Sequence, residues 1–178
     1  MYEIPVKPFR YDGVNLMKYI GEITEEANRI IMSPVAAKGR SKDTILHSTT
    51  KGKIGEIFLR ELYPGRFIRV DSEEAKDILR EDHRSKYLYG PNKKYAMYND
   101  LLDVQTKKII EVKCWTDETE RMSLPNFVDS DGKITKKTLL ADEIIVFRVT
   151  NDGNDRHDYR KCSYRYDRTI QLKGDHSK

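Results

Sequence analysis

The segment NDLLDVQTKKIIEVKCW, residues 99–115, constrains the fold of this chain more than any other stretch. Two apolar runs flank the polar residues QTKK, a pattern typical of two antiparallel strands joined by a short turn. Because side chains alternate between the two faces of a strand, such a hairpin places Asp100, Glu111 and Lys113 on one face. The segment therefore predicts an acidic face within an otherwise apolar strand pair.

The register of this hairpin decides which acids share that face. With the tip of the turn at 106–107, Leu102 is expected opposite Glu111. A register shifted by one residue would place Asp103 on the acidic face instead of Asp100. We prefer Asp100, because this choice leaves Asp103 near the end of the hairpin, where solvent reaches it.

Asp100 and Glu111 would repel each other on such a face, and a bound divalent cation removes that repulsion. Sites built from oxygen ligands suit Mg²⁺ or Mn²⁺. Lys113 beside the cation could orient an attacking water or stabilise negative charge on a phosphorus centre. The alternative is a solvated hairpin face with ordinary ion pairs. The apolar neighbours of the acids disfavour it, because they predict a strand buried on both faces, where unpaired charge is costly.

Hydrophobic periodicity predicts further elements on both sides of the hairpin. The predicted helices are 14–32, 51–62 and a charged, exposed helix within 71–86, and the predicted strands are 66–70 and 141–149. Residues 36–50 are expected to form a polar loop, with Thr49 or Thr50 capping the next helix. This order predicts a mixed α/β fold with a small central sheet flanked by helices. The predicted divisions are an N-terminal helical extension at 1–48, a core at 49–150 and a basic C-terminal segment at 151–178.

Composition restricts the class of protein. The net charge of +4 permits a nucleic-acid partner without requiring one. Cys114 and Cys162 lie far apart and form no CxxC pair, so neither a zinc knuckle nor a disulfide framework is indicated. No apolar run approaches the roughly 18–20 residues that cross a bilayer, and the N-terminus lacks the apolar core of a signal peptide. We therefore expect a cytoplasmic protein without a membrane partner.

Residues 50–150 resemble the PD-(D/E)xK nuclease superfamily, which includes restriction-endonuclease-like and Holliday-junction-resolvase-like enzymes. The resemblance is carried by KGKIGEIFLREL, which is similar to the first core helix of the family, by Asn99-Asp100 and Glu111-Val112-Lys113, and by the later strand LLADEIIVFRV. Asn99 stands where the family motif has proline. The motif is short, so its specificity comes from the helix, the hairpin and the strand occurring in this order.

The resemblance implies a restriction-endonuclease-like core and Mg²⁺- or Mn²⁺-dependent hydrolysis of DNA. Asp100, Glu111 and the Val112 carbonyl would bind the metal, with Glu56 assisting through a second metal or a water. Lys113 would be the catalytic lysine. An endonuclease is the preferred reading, with a structure-specific resolvase and a non-catalytic DNA-binding module as alternatives. RNA contains the same phosphodiester bond and is a further alternative substrate.

The helix at 51–62 carries two signals of its own. Glu56 points away from the main apolar stripe, and its alternative role is an i,i+4 ion pair with Arg60. Gly52 and Gly55 each cost a helix up to about 1 kcal/mol relative to alanine. We therefore expect the backbone to approach the sheet or a phosphate closely at these glycines.

Five basic side chains are predicted to contact DNA: Lys51, Lys53, Arg160, Lys161 and Arg165. The alternative for the lysines is a solvated helix cap, and for the C-terminal segment an edge strand with alternating tyrosine and arginine.

Because two cuts in a duplex require two active sites, a homodimer is expected, with the helix at 14–32 as the candidate contact.

Overall fold

The computed structural model describes residues 2–91, 100–128, 140–153 and 156–172, so Asn99 lies outside the described residues. The chain forms a mixed α/β fold, as the sequence predicts. The helices are α1 (Ile20–Ile31), α2 (Pro34–Ala37), α3 (Lys42–Leu62), α4 (Glu73–Ile78), α5 (Ser85–Tyr89) and α6 (Asp117–Ser123). The strands are β1 (Phe67–Arg69), β2 (Leu101–Asp103), β3 (Ile109–Trp115), β4 (Glu143–Asn151) and β5 (Cys162–Gln171). No helix within the described ranges is long and apolar enough to cross a membrane.

The five strands form one mixed sheet in the order β1-β2-β3-β4-β5. Only β3 and β4 run parallel, and the other neighbouring pairs are antiparallel. The strands predicted at 66–70 and 141–149 are confirmed as β1 and β4. The C-terminal segment pairs with β4 as the edge strand β5, so the edge strand is confirmed, and the contact of its basic side chains with DNA stays a prediction.

The hairpin between β2 and β3 is present, but the predicted register is wrong by two residues. Leu102 lies opposite Ile109 rather than Glu111. The reason is a wider connection through residues 104–107, in which Lys107 adopts a left-handed conformation with φ 61°. Because the error is an even number of residues, each side chain keeps its predicted face.

Helix α3 begins much earlier than predicted. Its first residue is Lys42, and the Ser41 hydroxyl caps it by accepting a hydrogen bond from the Thr44 N–H. The predicted polar loop at 36–50 is therefore largely helical, and the predicted boundary at residue 48 falls inside α3. Thr49 is buried within the helix instead of capping it, because this part of α3 already packs against other elements.

Two other helix predictions are only partly correct. Within 14–32 the α-helix covers Ile20–Ile31 and is preceded by a short 3₁₀ turn. The segment 71–86 contains α4 and the start of α5 rather than one exposed helix. Ala75 is buried in an apolar cluster with residues of the sheet, and Arg84 is buried where it binds Asp82 and Asp142.

Helix α3 crosses the sheet in close contact at Gly55. A Cβ atom at this position would lie 2.7 Å from Phe147 Cδ2 and 2.8 Å from Cys114 Sγ. The close approach expected for Gly55 is therefore confirmed, and it brings α3 down onto β3 and β4.

Gly55→Ala is expected to lower the free energy of unfolding by about 1–3 kcal/mol, because the added methyl group overpacks this contact. Urea denaturation measures the change. Gly52→Ala on the same helix is the control, since a Cβ there would meet no heavy atom within 4 Å. The control is expected to stabilise the helix, and equal stability for Gly55→Ala and wild type would contradict this account of the packing.

Candidate active site

Asp100 and Glu111 lie together where the β2–β3 hairpin opens. Continuing the observed register by one residue beyond Leu101 and Ile110 places Asp100 opposite Glu111. The Val112 main-chain N–H donates to Asp100 Oδ2 at 2.8 Å, which fixes this carboxylate against β3. Glu111 and the four β3 residues after it border a space beside α3.

That space is a cavity of about 520 Å³ between α3 and the open end of the hairpin. The cavity is lined by all five residues of the predicted site: Glu56, Asp100, Glu111, Val112 and Lys113. Helix α3 contributes one face, because residues 49, 52, 53 and 56 recur at the spacing that places side chains on one side of a helix. The fold thus gathers residues that are far apart in sequence around one opening.

Glu56 is buried, with 3% of its surface exposed, and its partner is a lysine of the same helix. Lys53 Nζ lies 2.9 Å from Glu56 Oε2 and 3.3 Å from Glu26 Oε2. The alternative ion pair between Glu56 and Arg60 is wrong, because Arg60 binds Glu22 at 2.7 Å. Glu56 is therefore held at the cavity wall by Lys53.

Burial and mutual repulsion raise the pKa values of two of these carboxyl groups to near neutral pH. Burial, then the negative charge of Glu111, raises the pKa of Asp100 to about 7. Burial, then the charge of Asp100, raises the pKa of Glu56 to about 7, against the opposing effect of Lys53. The cluster thus contains more acid than its lysines neutralise, which favours either protonation or a bound cation.

Lys113 lies between a carboxylate and an aromatic ring. Its Nζ is 2.9 Å from Glu111 Oε1 and 4.7 Å from the centre of the Phe127 ring. Burial acts to lower the pKa of Lys113, but the charges of Glu111 and Asp100 outweigh it and raise this pKa above its ordinary value. Lys113 is therefore a cation at neutral pH and can donate hydrogen bonds into the cavity.

The donor set fits a hard divalent cation. Asp100 and Glu111 supply carboxylate oxygens, and the repulsion between them is the kind of conflict that a cation relieves. Among the described residues, no group of three or more His, Cys, Asp or Glu side chains is arranged to hold a metal. Mg²⁺ commonly binds through only one or two carboxylates and keeps several waters. Glu56 accordingly stands beside the pair rather than completing a set of three protein ligands.

Asp103 does not join this site. It is fully buried, and both its carboxylate oxygens accept hydrogen bonds from Arg66 at 3.1 Å. Burial acts to raise its pKa, but the Arg66 hydrogen bond contributes to a net lowering. The expectation that solvent reaches Asp103 is wrong, because β1 pairs with β2 and brings Arg66, the residue before β1, beside Asp103.

The five side chains predicted to contact DNA are dispersed. Only Lys53 among them lines the cavity, where it is paired with Glu56 and Glu26. Lys51 donates from Nζ to the main-chain carbonyl of Arg156 at 2.9 Å. The remaining three lie just before or within β5: Arg160, Lys161 and Arg165.

Sequence reasoning missed several cavity residues, including Arg40, Trp115 and Phe127. Phe127 reaches Lys113 because α6 folds back after β3, and Arg148 on β4 holds α6 through Glu120 at 3.2 Å. These are long-range contacts without a local sequence signal. Residues 49 and 52 of α3 did carry a local sequence signal, because their helical spacing places them on the same face as Glu56.

No family model, curated protein or solved structure matches this chain. The fold and the cavity define a mixed α/β protein with a cleft that contains clustered carboxylates and two partly buried lysines. Any function must therefore account for a cleft in which the clustered carboxyl groups do not readily ionise at the same time and the lysines remain charged.

Proposed function

We propose that this protein is a metal-dependent endonuclease that hydrolyses DNA phosphodiester bonds in the α3–hairpin cavity. The observation that carries the proposal is the pairing of Asp100 with Glu111 across the open hairpin, with the Lys113 ammonium 2.9 Å from Glu111. This is the arrangement implied by the resemblance to PD-(D/E)xK nucleases. A restriction-endonuclease-like core is part of the same proposal.

The metal would be Mg²⁺ or Mn²⁺, held by Asp100, Glu111 and the Val112 carbonyl. When bound, such an ion neutralises charge on the phosphate and activates a water molecule. Lys113 orients the attacking water and stabilises the negative charge that develops on the phosphate oxygens, because it keeps its proton at neutral pH. These roles require the ammonium to stay inside the cavity, where Glu111 holds it.

Glu56 is suited to accept the proton of the attacking water. A general base works best when its pKa lies near the working pH, and in the metal-free protein burial, then the charge of Asp100, raises the pKa of Glu56 to about 7. Lys53 holds the carboxylate at 2.9 Å and fixes its orientation at the cavity wall. Glu56 thereby removes the proton without having to bind the metal directly.

The DNA duplex has two strands, and we propose that two copies of the chain act together to cut both. The exposed apolar side chains of Met17, in the 3₁₀ turn before α1, and Ile20, at the start of α1, fit the segment predicted as the dimer contact. Size-exclusion chromatography with light scattering, with and without DNA, measures this association. A monomer on duplex DNA would remove the dimer from the proposal and leave the cleavage chemistry intact.

The function is tested by incubating supercoiled plasmid with the protein and Mg²⁺ or Mn²⁺, with EDTA as the control. We expect nicked and linear products only when the metal is present. A panel of linear, single-stranded and branched DNA, together with RNA, identifies the substrate form. Binding without metal-dependent cleavage of any substrate would show a nucleic-acid-binding module and contradict the nuclease.

A further inference from the structure

Gly52 occupies the interior of α3 although no contact with the part of the chain that the structure describes requires a glycine there. Glycine is among the least favourable residues in a helix interior. A Cβ at Gly52 would meet no heavy atom within 4 Å, whereas one at Gly55 would collide with Phe147. Packing therefore explains Gly55 but leaves Gly52 unexplained.

The open side of Gly52 faces the candidate active site. Gly52 lines the same cavity as Glu56 and precedes it by four residues, which is about 6 Å along the helix axis. An extra side chain here would extend into the cavity beside Glu56. Since glycine is used where a ligand must approach the backbone closely, the missing side chain makes room for a ligand in the cavity.

A fixed cation lines the same cavity at the far end of α3. Arg40 donates from Nε to the Ala37 carbonyl and from Nη2 to the Ala36 carbonyl, both at 3.0 Å. Both acceptors are neutral, and Arg40 forms no ion pair with any carboxylate of residues 2–91, 100–128, 140–153 and 156–172. The ten residue-to-residue steps from Lys42, at the start of α3, to Gly52 span about 15 Å along the helix axis, a distance several nucleotides long.

We propose that α3 carries a binding subsite for the sugar–phosphate backbone of the substrate strand. The strand leaves the scissile phosphate beside Glu56, crosses α3 at Gly52 and places a further phosphate on Arg40. The proposal rests on the proposed nuclease function and adds the path of the strand. Binding at this subsite involves no contact between Gly52 or Arg40 and a DNA base, so these positions contribute affinity without sequence preference.

The subsite is tested by binding a fluorescein-labelled DNA duplex to the full chain in Ca²⁺ or EDTA, so that binding is measured apart from cleavage. Gly52→Ala is expected to raise the melting temperature and weaken binding about threefold to tenfold. Gly52→Leu is expected to weaken binding by more than tenfold, because the longer side chain fills the strand path. A stabilised protein with weaker binding is a signature that loss of structure does not produce.

Gly21→Ala provides the matched control. Gly21 lies in α1, its Cβ would also meet no heavy atom within 4 Å, and it does not line the cavity. This variant is expected to keep the wild-type oligomeric state, measured by light scattering because α1 is the proposed dimer contact, and to keep wild-type DNA affinity. Weakening equal to that of Gly52→Ala would overturn the subsite.

Arg40→Gln tests the phosphate contact through its salt dependence. Loss of one phosphate contact is expected to reduce the slope of log K against log salt by about 1. Wild-type affinity for Gly52→Leu, together with an unchanged slope for Arg40→Gln, would overturn the strand path while leaving the nuclease intact. Wild-type protein that neither binds nor cleaves nucleic acid would overturn both.

Discussion

Lys113→Met is expected to lower kcat for DNA cleavage by about 10²–10³-fold. This is the usual effect of removing one hydrogen-bond donor that stabilises the charge developing in the transition state. Methionine keeps most of the length and the contact with Phe127 but removes the ammonium that lies 2.9 Å from Glu111. Because the lost interaction acts in the transition state, KM for DNA is expected to change much less than kcat. Single-turnover cleavage with saturating protein measures the chemical step.

Lys108→Met is the matched control for this experiment. Lys108 belongs to the same hairpin but does not line the cavity, and its nearest carboxylate, Glu143, is 3.8 Å away. This variant is expected to cleave at nearly the wild-type rate. A Lys113→Met protein that is folded and cleaves as fast as wild type would refute the proposed role of Lys113, even in an active nuclease.

The second large effect is on stability. The free energy of unfolding of the metal-free protein is expected to fall as the pH rises from about 4 to about 7. Asp100 and Glu56 have folded-state pKa values of about 7, well above their ordinary values of 3.8 and 4.5. A carboxyl group with a raised pKa favours folding while protonated, so its contribution is complete below the unfolded pKa and is lost as pH passes the folded pKa.

The expected loss is on the order of a few kcal/mol, because each pKa unit corresponds to about 1.4 kcal/mol. Urea denaturation in EDTA across this pH range measures it. Asp100→Asn is expected to make the free energy of unfolding depend less on pH. Asp103→Asn alters an acid with a lowered pKa and is expected to leave the decrease of this free energy with pH unchanged. Added Mg²⁺ is expected to restore stability above pH 7, since a ligand that binds only the folded state stabilises it.

A flat stability profile between pH 4 and pH 7 in wild-type protein would contradict the electrostatic account of the cluster. Absence of any stabilisation by Mg²⁺ or Mn²⁺ would contradict the metal site specifically. The two outcomes are separable, because the first concerns protonation in the metal-free protein and the second concerns binding.

Local sequence patterns determined the main strands and the faces of the hairpin. Side-chain alternation along a strand has a period of two, so Asp100, Glu111 and Lys113 keep a common face even though the predicted register was wrong by two residues. The apolar run of β4 likewise predicted its position within two residues. These features depend on neighbours in the sequence, which is why a single sequence is sufficient to predict them.

Only the tertiary structure decided how the site is completed. The burial of Glu56 beside Lys53, the pairing of Asp103 with Arg66 and the position of Phe127 over Lys113 each depend on where other elements pack. The sequence shows that these charges exist, but their pKa values and partners depend on burial and on contacts between distant segments. The physical reason is that desolvation and Coulomb interaction depend on distance in space, not on separation along the chain.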